Sequence, residues 1–338
     1  MSGENTTQCL VHYSPGTVKL EGCQIDPPGA TDCLVETKYS AISPGTELRC
    51  LTVEDGSPPF VPGYLGVGEI VEPGKLSGFQ QGDKVVFGGA KGFHDFQSRW
   101  GCHSKQVVVE RSKLCLIPDG VSDLDAVVSK LAAIALHGVR LGGVAGTDRV
   151  LILGLGIIGQ LTARIASQSS PHTLALGRNS ERVNIATSAG IRAHEVVGRI
   201  DDTLNQLFGG NLRADVIIDT TGNPDVLGES IAIANDLLPW EAPVKAATRY
   251  ILQGSFTDHV RIDYEKAFQK ELNLLFPRDH TRQDLEEVLK TIASKNLTVS
   301  DLVATPVSPV DAASVYESLL RSNPEILTAV FDWSLLKD

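Results

Sequence analysis

The sequence predicts a two-domain α/β chain, a β-rich domain of short strands joined to a doubly wound parallel sheet. Three observations predict it. The stretch Arg149–Ala166 runs from an apolar, branched tetrad (Val150-Leu151-Ile152-Leu153) through Gly154-x-Gly156-x-x-Gly159 into a pattern with Ile158, Leu161 and Ile165 on one helical face. That is a strand buried on both sides, a glycine turn and a helix. Before it, residues 1 to about 120 hold short apolar or alternating runs separated by Pro/Gly turns. After it, strand and helix signals alternate, as parallel sheets require.

The elements follow in order. Cys33–Thr37, Gly68–Val71, Lys84–Phe87 and Gln106–Val109 read as strands. Two stretches stand out among them, Tyr39–Glu47 and Val61–Glu69, followed by Gly82-Asp83-Lys84-Val85. Gly88–Gly101 is a long loop mixing glycines with aromatic and titratable side chains, of the kind that lines pockets on a rigid scaffold. His94 within it reads as a rim histidine. From Ser122 a long helical pattern begins, with Val127, Leu131, Ile134 and Ala135 on one face and an end near Gly142-Gly143. Thr173–Leu176 is the next strand after the glycine turn, Asp202–Phe208 a short helix and Ala214–Asp219 a buried strand. Asn223-Pro224 signals a helix start. Tyr250–Phe256 is a further strand; Thr281-Arg282-Gln283-Asp284 reads as a capping box with Asp in place of Glu, ahead of the stripe Leu285, Val288, Leu289, Ile292. Ser308–Asp311 repeats the start signal before Val315, Tyr316 and Leu319, and a last strand covers Ile326–Phe331.

Gly154 allows a tight turn, Gly156 lets backbone approach a pyrophosphate, and Gly159 lets the helix pack closely on the strand. The helix N-terminus at Ile157 and Ile158 offers free N–H groups and a positive dipole end. Because strand, turn and helix stand in the required order, the reading is a dinucleotide site; the plain alternative is a glycine-rich turn with no ligand. At the end of the following strand, where NAD sites usually place an acidic residue, stands Gly177, with Arg178, Asn179 and Arg182 beyond it. A guanidinium pairs with a ribose 2′-phosphate that a carboxylate would repel. The site therefore reads as NADP(H)-selective, against the alternative of a solvated loop arginine.

Composition bounds the rest. The chain has 338 residues, enough for two domains, and a net charge of −11, with no basic cluster. That disfavours nucleic acid and anionic membranes as partners and leaves a small-molecule substrate. The N-terminus, Met1–Thr7, is polar, and no transmembrane run is present, so the chain is expected in the cytoplasm. Six scattered cysteines without a Cys-x-x-Cys pair read as ordinary thiols.

Taken together, Gly82-Asp83-Lys84-Val85, Pro62-Gly63-Tyr64-x-x-Val67-Gly68 and the glycine turn resemble, in order and spacing, the medium-chain dehydrogenase/reductase superfamily over nearly the whole chain. Ile42-Ser43-Pro44-Gly45-Thr46-Glu47 and Ala329–Trp333 resemble the branch containing the hydroxyethyl-bacteriochlorophyllide dehydrogenases. The resemblance implies a GroES-like β-barrel catalytic domain at 1–122 and 279–338, a Rossmann NADP-binding domain at 123–278, and a homodimer or tetramer. It implies that Thr220 and Thr221 lie beside the nicotinamide and ribose, that Gln253 and Gly254 face the carboxamide, and that Thr46 keeps the family's hydroxyl relay at the cofactor.

The departures are as informative. The zinc-dependent members carry Cys-x-Thr/Ser-Asp, then Gly-His-Glu, then a third ligand before the nucleotide domain; here those segments read Pro44-Gly45-Thr46-Glu47, Gly63-Tyr64-Leu65 and Ser129-Lys130-Leu131. The four-cysteine structural lobe is also missing. A catalytic zinc needs such donors, so no metal is expected. Carbonyl chemistry still needs the oxygen's charge stabilised and a proton moved, and Thr46 and Tyr64 are the candidate catalytic residues. The alternatives are a turn hydroxyl for Thr46, a packed ring for Tyr64 and a solvated helix lysine for Lys130, the last being the favoured reading of Lys130. The expected function is an NADP(H)-dependent, zinc-independent oxidoreductase of a hydroxyl or ketone. The competing functions are a quinone or enone reductase, and a non-catalytic NADPH-binding protein.

Overall fold

The six-stranded parallel sheet runs β12 (Ala193–Glu195), β11 (Thr173–Gly177), β10 (Val150–Leu153), β13 (Val216–Asp219), β14 (Arg249–Leu252), β15 (Asn273–Leu275) in spatial order. All of its pairings are parallel. The chain order reverses between β10 and β13, which opens a crevice at the carboxyl ends of those two strands. Helices α4 (Ile157–Ser169), α5 (Ser180–Ser188), α6 (Ile200–Phe208) and α7 (Asp225–Ser230) supply the crossovers. Strands β10 and β13 are buried at every position, the cause of their unbroken apolar runs. Their core joins Leu151, Leu153, Leu176, Ile217 and Tyr250 to Ile200, Leu204, Val226 and Leu227 of the flanking helices. This computed structural model describes residues 5–14, 16–52, 59–210, 212–236, 247–256, 258–321 and 327–336.

The β-rich part has two sheets. One is four-stranded, with β2 (Thr17–Ile25), β1 (Asn5–Ser14), β4 (Phe60–Val61) and β7 (Gln97–Ser98) in spatial order. In the other, β16 (Val330–Asp332), β3 (Asp32–Ala41), β5 (Leu65–Pro73), β6 (Lys84–Phe87) and β9 (Leu114–Leu116) follow one another, and β8 (Gln106–Glu110) pairs with β3. The return of β16 onto β3, pairing Phe331 with Ser40, fixes the C-terminal segment in this part of the chain. Between β3 and β4 lies α1 (Pro44–Thr52), so Thr46 sits in a helix rather than in the loop or turn its Pro-Gly context suggests. Proline suits the first helical position, where the missing N–H costs nothing. The Gly88–Gly101 segment is stitched to both sheets, by β7 on β4 and by bridges from Lys91 to Val108 and Phe93 to Ile25.

The helical pattern expected from Ser122 onward is two helices. Ser122 caps α2 (Asp123–Val127), the chain breaks at Val128, and α3 (Ser129–Leu141) ends just before Gly142. The chain forms two compact units, 1–130 with 285–338, and 131–284. The expected divisions fell at 122/123 and 278/279. The later first boundary follows from α2, which packs on β3 and β5. The later second one follows from Asp284, whose carboxylate accepts from Arg140 at 2.5 Å and pairs with His137 at 3.0 Å, both on α3. Asp284 also closes the capping box: its N–H donates to Thr281 Oγ1 at 3.1 Å, and its carboxylate accepts the Thr281 N–H at 2.8 Å. Burial works to raise this carboxyl, but the donors outweigh it and hold it at about 2. Helix α9 (Arg282–Ala293) buries Leu285, Val288, Leu289 and Ile292 as its stripe requires, and α10 (Ala312–Leu320) buries Tyr316 and Leu319. Helix α8 (Tyr264–Gln269) leads into β15. The last strand begins only at Val330; Ile326, expected in it, lies outside the described residues, as do Met1–Glu4. All six cysteines are free thiols. Among the described residues no helix is long and apolar enough to cross a membrane.

Candidate functional site: a nucleotide cleft and a buried tyrosine cluster

In the unit 131–284 a cleft of about 280 Å³ opens at the carboxyl ends of β10, β11 and β13. Its floor is the β10–α4 turn. Gly154 holds φ +92°, which a side chain rarely tolerates, and at Gly159 a Cβ would lie 2.0 Å from the Gly154 carbonyl oxygen. At Gly156 a Cβ would meet nothing within 4 Å, so the backbone there borders open space. Thr220 locks the turn by donating its hydroxyl to the carbonyls of Leu153 (2.9 Å) and Gly154 (3.1 Å). Helix α4 begins at Ile157 without a side-chain cap, which leaves first-turn N–H groups for an anion.

Gly154, Gly156, Gly177, Arg178, Asn179, Arg182, Thr220 and Thr221 line the cleft as their motif positions suggested. Asn179 caps α5, its Oδ1 accepting the Arg182 N–H at 2.9 Å. Burial lowers the Arg182 guanidinium from its ordinary value, yet it stays a cation near neutral pH. Val196, Ile200 and Val226, which the sequence did not single out, form an apolar wall, and Asn223 adds a polar edge. Asn223 accepts the Asp225 N–H at 3.0 Å, so it does cap the start of α7. The side chain of Arg178 is 61% exposed, and its Nη2 lies 3.9 Å from Oε2 of Glu229 on α7.

Six of the expected cofactor residues do not line this cleft. Ile157 is buried under α4 and Ile158 half-buried on it; Gly159 is packed against Gly154. Gln253 is turned inward, its Nε2 donating to the Ile134 carbonyl of α3 at 2.7 Å. Gly254 serves backbone approach, since a Cβ there would lie 2.3 Å from the Gly222 nitrogen. Thr46 belongs to the other unit.

Beneath the cleft floor, Asp219 is fully buried. One carboxylate oxygen accepts from the N–H (2.8 Å) and hydroxyl (2.6 Å) of Thr221, and the other faces the Tyr250 hydroxyl at 3.5 Å. Burial pushes this carboxyl up to about 6, against the pull of the Thr221 and Tyr250 donors. Tyr250 is raised well above its usual value by burial and by the Asp219 charge, and bonds Ser230 at 2.8 Å.

In the unit 1–130 and 285–338, Ser43, Tyr64 and Lys130, which lie in or beside the segments that the resemblance matches to zinc-ligand segments, form a cluster. The Tyr64 hydroxyl donates to Ser43 Oγ at 2.5 Å, with both side chains buried. Trp100 packs edge-on against the Tyr64 ring with centroids 5.3 Å apart. Lys130 is not a solvated helix lysine: it is only 8% exposed, and its Nζ lies 4.9 Å from the Tyr64 ring centroid. Space for it exists because residue 88 is glycine, where a Cβ would lie 2.5 Å from Nζ. Thr46 is half-buried in the first turn of α1.

Next to this cluster lies a polar network that sequence reasoning missed. Glu47, His103, Ser40, Tyr316 and Trp333 are all buried. His103 Nε2 meets Glu47 Oε1 at 3.0 Å and its Nδ1 meets Ser40 Oγ at 2.7 Å; Trp333 Nε1 donates to the same Ser40 oxygen at 2.8 Å; Tyr316 donates to Glu47 Oε1. Burial and the Glu47 charge raise the Tyr316 phenol well above its usual value. Gly63 makes room for the imidazole, since a Cβ there would lie 2.5 Å from the ring. Among the described residues, no group of three or more His, Cys, Asp or Glu side chains is placed to hold a metal ion.

The family model for the alcohol dehydrogenase GroES-like domain matches residues 29–119. A 2-desacetyl-2-hydroxyethyl bacteriochlorophyllide A dehydrogenase of Rhodobacter capsulatus is 27% identical over 339 aligned residues, covering 97% of this chain and 98% of its own. Among solved structures, a short chain alcohol dehydrogenase from Escherichia coli in complex with NADH superimposes with a TM-score of 0.84 at 18% identity, covering 97% of this chain and 99% of that one. A Sinorhizobium meliloti dehydrogenase bound to NADP gives 0.81 at 19% identity, covering 97% and 100%.

Proposed function

We propose that the chain is a member of the medium-chain dehydrogenase/reductase superfamily, as the matches over residues 29–119 and over nearly the whole chain support, and that it is an NADP(H)-dependent, zinc-independent oxidoreductase acting on a hydroxyl or ketone of a small organic substrate. The observation that supports this most is the cleft itself: a glycine turn with open space at Gly156, and Arg178 rather than a carboxylate following β11. A nicotinamide dinucleotide fits these residues. The β10–α4 turn would hold the pyrophosphate, the wall of Val196, Ile200 and Val226 the adenine, and Arg178 the 2′-phosphate. When bound, the nicotinamide supplies or takes up a hydride at the substrate carbon.

Zinc does not fit. Its ligands would have to be Ser43, Tyr64 and Lys130, whose hydroxyls are bonded to each other and whose third member is a cation. We therefore assign activation of the substrate oxygen to the Tyr64 hydroxyl, with Thr46 as the second candidate donor. Six free thiols suit a reducing, cytosolic setting.

The test of cofactor choice is a fluorescence titration with NADPH and NADH. Arg178→Ala should weaken NADPH by roughly 1.5–3 kcal/mol, the worth of a charge-assisted pair, and leave NADH nearly unchanged. A wild type that prefers NADH refutes the assignment. A panel of ketones, alcohols, enones and quinones then separates carbonyl chemistry from conjugate reduction. Tight NADPH binding without turnover on any of them would indicate a non-catalytic role.

A further inference from the structure

Within the unit 131–284, one buried carboxyl is tied to both ends of the helix that walls the nucleotide cleft. One Asp219 oxygen accepts from the Thr221 hydroxyl, Thr221 Oγ1 accepts the Asn223 N–H at 3.1 Å, and Asn223 caps the start of α7. The other oxygen faces Tyr250, which bonds Ser230 at the last position of α7. We infer that Asp219 is a proton site linked to cofactor binding: when the pyrophosphate of a dinucleotide binds at the β10–α4 turn, the Asp219 carboxyl takes up a proton from solvent. This rests on the dinucleotide reading of the cleft and adds to it a pH-dependent affinity.

Three observations support it. The first is proximity. Thr220 and Thr221 line the cleft, and a Cβ at Gly154 would lie 3.2 Å from the Thr221 nitrogen, so the glycine turn touches this residue. The same Thr221 N–H donates to Asp219 at 2.8 Å. The second is charge. Among the described residues the Asp219 carboxyl bonds Thr221 and Tyr250 and pairs with no cation. Phosphate charges brought near a buried carboxylate of the same sign repel it with little water to screen them, and a neutral acid removes the repulsion.

The third is the direction of the hydrogen bonds. Ser230 Oγ donates to the Val226 carbonyl at 2.7 Å, so it accepts at its 2.8 Å contact with Tyr250. Tyr250 thereby spends its one proton and turns a lone pair to Asp219 at 3.5 Å. A proton on that carboxyl oxygen completes the chain, with Asp219, Tyr250 and Ser230 each donating to the next and the last reaching the Val226 carbonyl. An ionised carboxyl is served by Tyr250 only if Ser230 reverses and releases Val226, whose side chain walls the cleft.

Few charged groups surround the site. Strands β10 and β14 place Leu153 and Leu252 beside Asp219, and the first turn of α4 carries no charge. Helix α7 carries Asp225 and Glu229, and Glu229 lies near Arg178 and Arg199. Arg182 lines the cleft with Arg178. Burial holds the Asp219 carboxyl at about 6 without cofactor, poised for a nearby anion to raise it through neutrality. Thr221 is exposed, so its hydroxyl links the carboxyl to solvent, the source of the proton.

The test is calorimetric titration with NADPH of wild type and Asp219→Asn, in two buffers of different ionisation enthalpy, which counts the protons taken up. The 2′-phosphate of NADPH also titrates near pH 6; its share is common to both proteins, so the difference belongs to Asp219. If binding raises the carboxyl by about one unit, wild type should take up about half a proton more than the variant near pH 6.5. Asp219→Asn, neutral at every pH, should bind about tenfold tighter than wild type near pH 8 and only about twofold tighter near pH 6. A merely structural role predicts weaker binding at both. Infrared difference spectra near neutral pH should show a protonated carboxyl band appearing when NADPH binds wild type, and no such band in the variant. Circular dichroism checks that the variant is folded; if it is not, the wild-type spectrum decides, and the absence of the band overturns the proton site. A proton count equal in the two proteins, or an affinity ratio that does not change with pH, also overturns it while leaving the dinucleotide cleft standing. Failure of both NADPH and NADH to bind wild type overturns the cleft assignment and the proton site with it.

Discussion

Asp219→Asn should make the nucleotide-binding sheet more stable at neutral pH, and by an amount that depends on pH. Burial raises the Asp219 carboxyl from 3.8 to about 6 in the folded protein. Below about pH 4 the carboxyl is protonated in both the folded and the unfolded chain, and no penalty exists. As pH rises from about 4 to about 6, the unfolded chain loses its proton while the folded one keeps it, so stability falls. Above about 6 the penalty is complete: roughly two pKa units at about 1.4 kcal/mol each, or about 3 kcal/mol. Asparagine keeps the oxygen that accepts from the Thr221 N–H and hydroxyl and removes the charge. The variant should therefore match wild type near pH 4 and exceed it by about 2–3 kcal/mol at pH 7. Native-state hydrogen exchange in mild urea, read on peptides from β13 and β14, reports opening of this sheet separately from the other unit. A difference that is constant between pH 4 and pH 7, or a variant less stable than wild type at pH 7, refutes the reasoning.

Further outcomes follow from the same geometry. Glu229 Oε2 is buried with no hydrogen-bond partner and lies 3.9 Å from Arg178, so it repels a 2′-phosphate and competes for the guanidinium; Glu229→Gln should tighten 2′,5′-ADP about two- to fivefold, a modest gain because Arg178 is mostly exposed, and leave 5′-AMP unchanged in calorimetry. Gly63→Ala places a Cβ 2.5 Å from the His103 ring at φ +91° and should cost upward of about 2 kcal/mol in urea unfolding of its unit. Elemental analysis should find well below one zinc per chain, and a strong chelator should leave turnover unchanged; stoichiometric zinc with chelator-sensitive turnover would refute the zinc-free site.

What the sequence made legible was local. The β10–α4 turn could be read because its apolar run, glycines and helical stripe are consecutive, and each has a separate steric cause now visible at Gly154 and Gly159. Arg178 was legible for the same reason, standing next to the strand end it serves. Its partner Glu229 was not, because only the parallel order of β11, β10 and β13 brings α7 near it. Gln253 sits at the strand end the sequence indicates, but the direction of its side chain was not legible, since it is set by the Ile134 carbonyl on a distant helix. The burial of Lys130 was equally hidden, for it depends on an absent side chain at Gly88 rather than on any pattern in α3.

Near the segments that the resemblance matches to zinc-ligand segments, this chain holds a buried hydrogen-bond network. In the family's zinc-binding pattern the residues after Pro62 and around Thr46 would converge on a cation. Here Gly63 is followed by a phenol, and the imidazole beside it comes from His103 instead. His103 donates from Nε2 to Glu47 Oε1 if Nδ1 accepts from Ser40, and Ser40 in turn accepts from Trp333, while Glu47 Oε2 stays buried without a hydrogen-bond partner. Removing a donor to Glu47 Oε1 from such a chain leaves a buried polar atom without a partner and should destabilise it. It draws on β3, α1, the segment before β8, α10 and the residue after β16, and so ties the C-terminal return to the helix that holds Thr46. Hydrogen bonds between distant segments hold that helix, and Ser43, at its start, meets Tyr64.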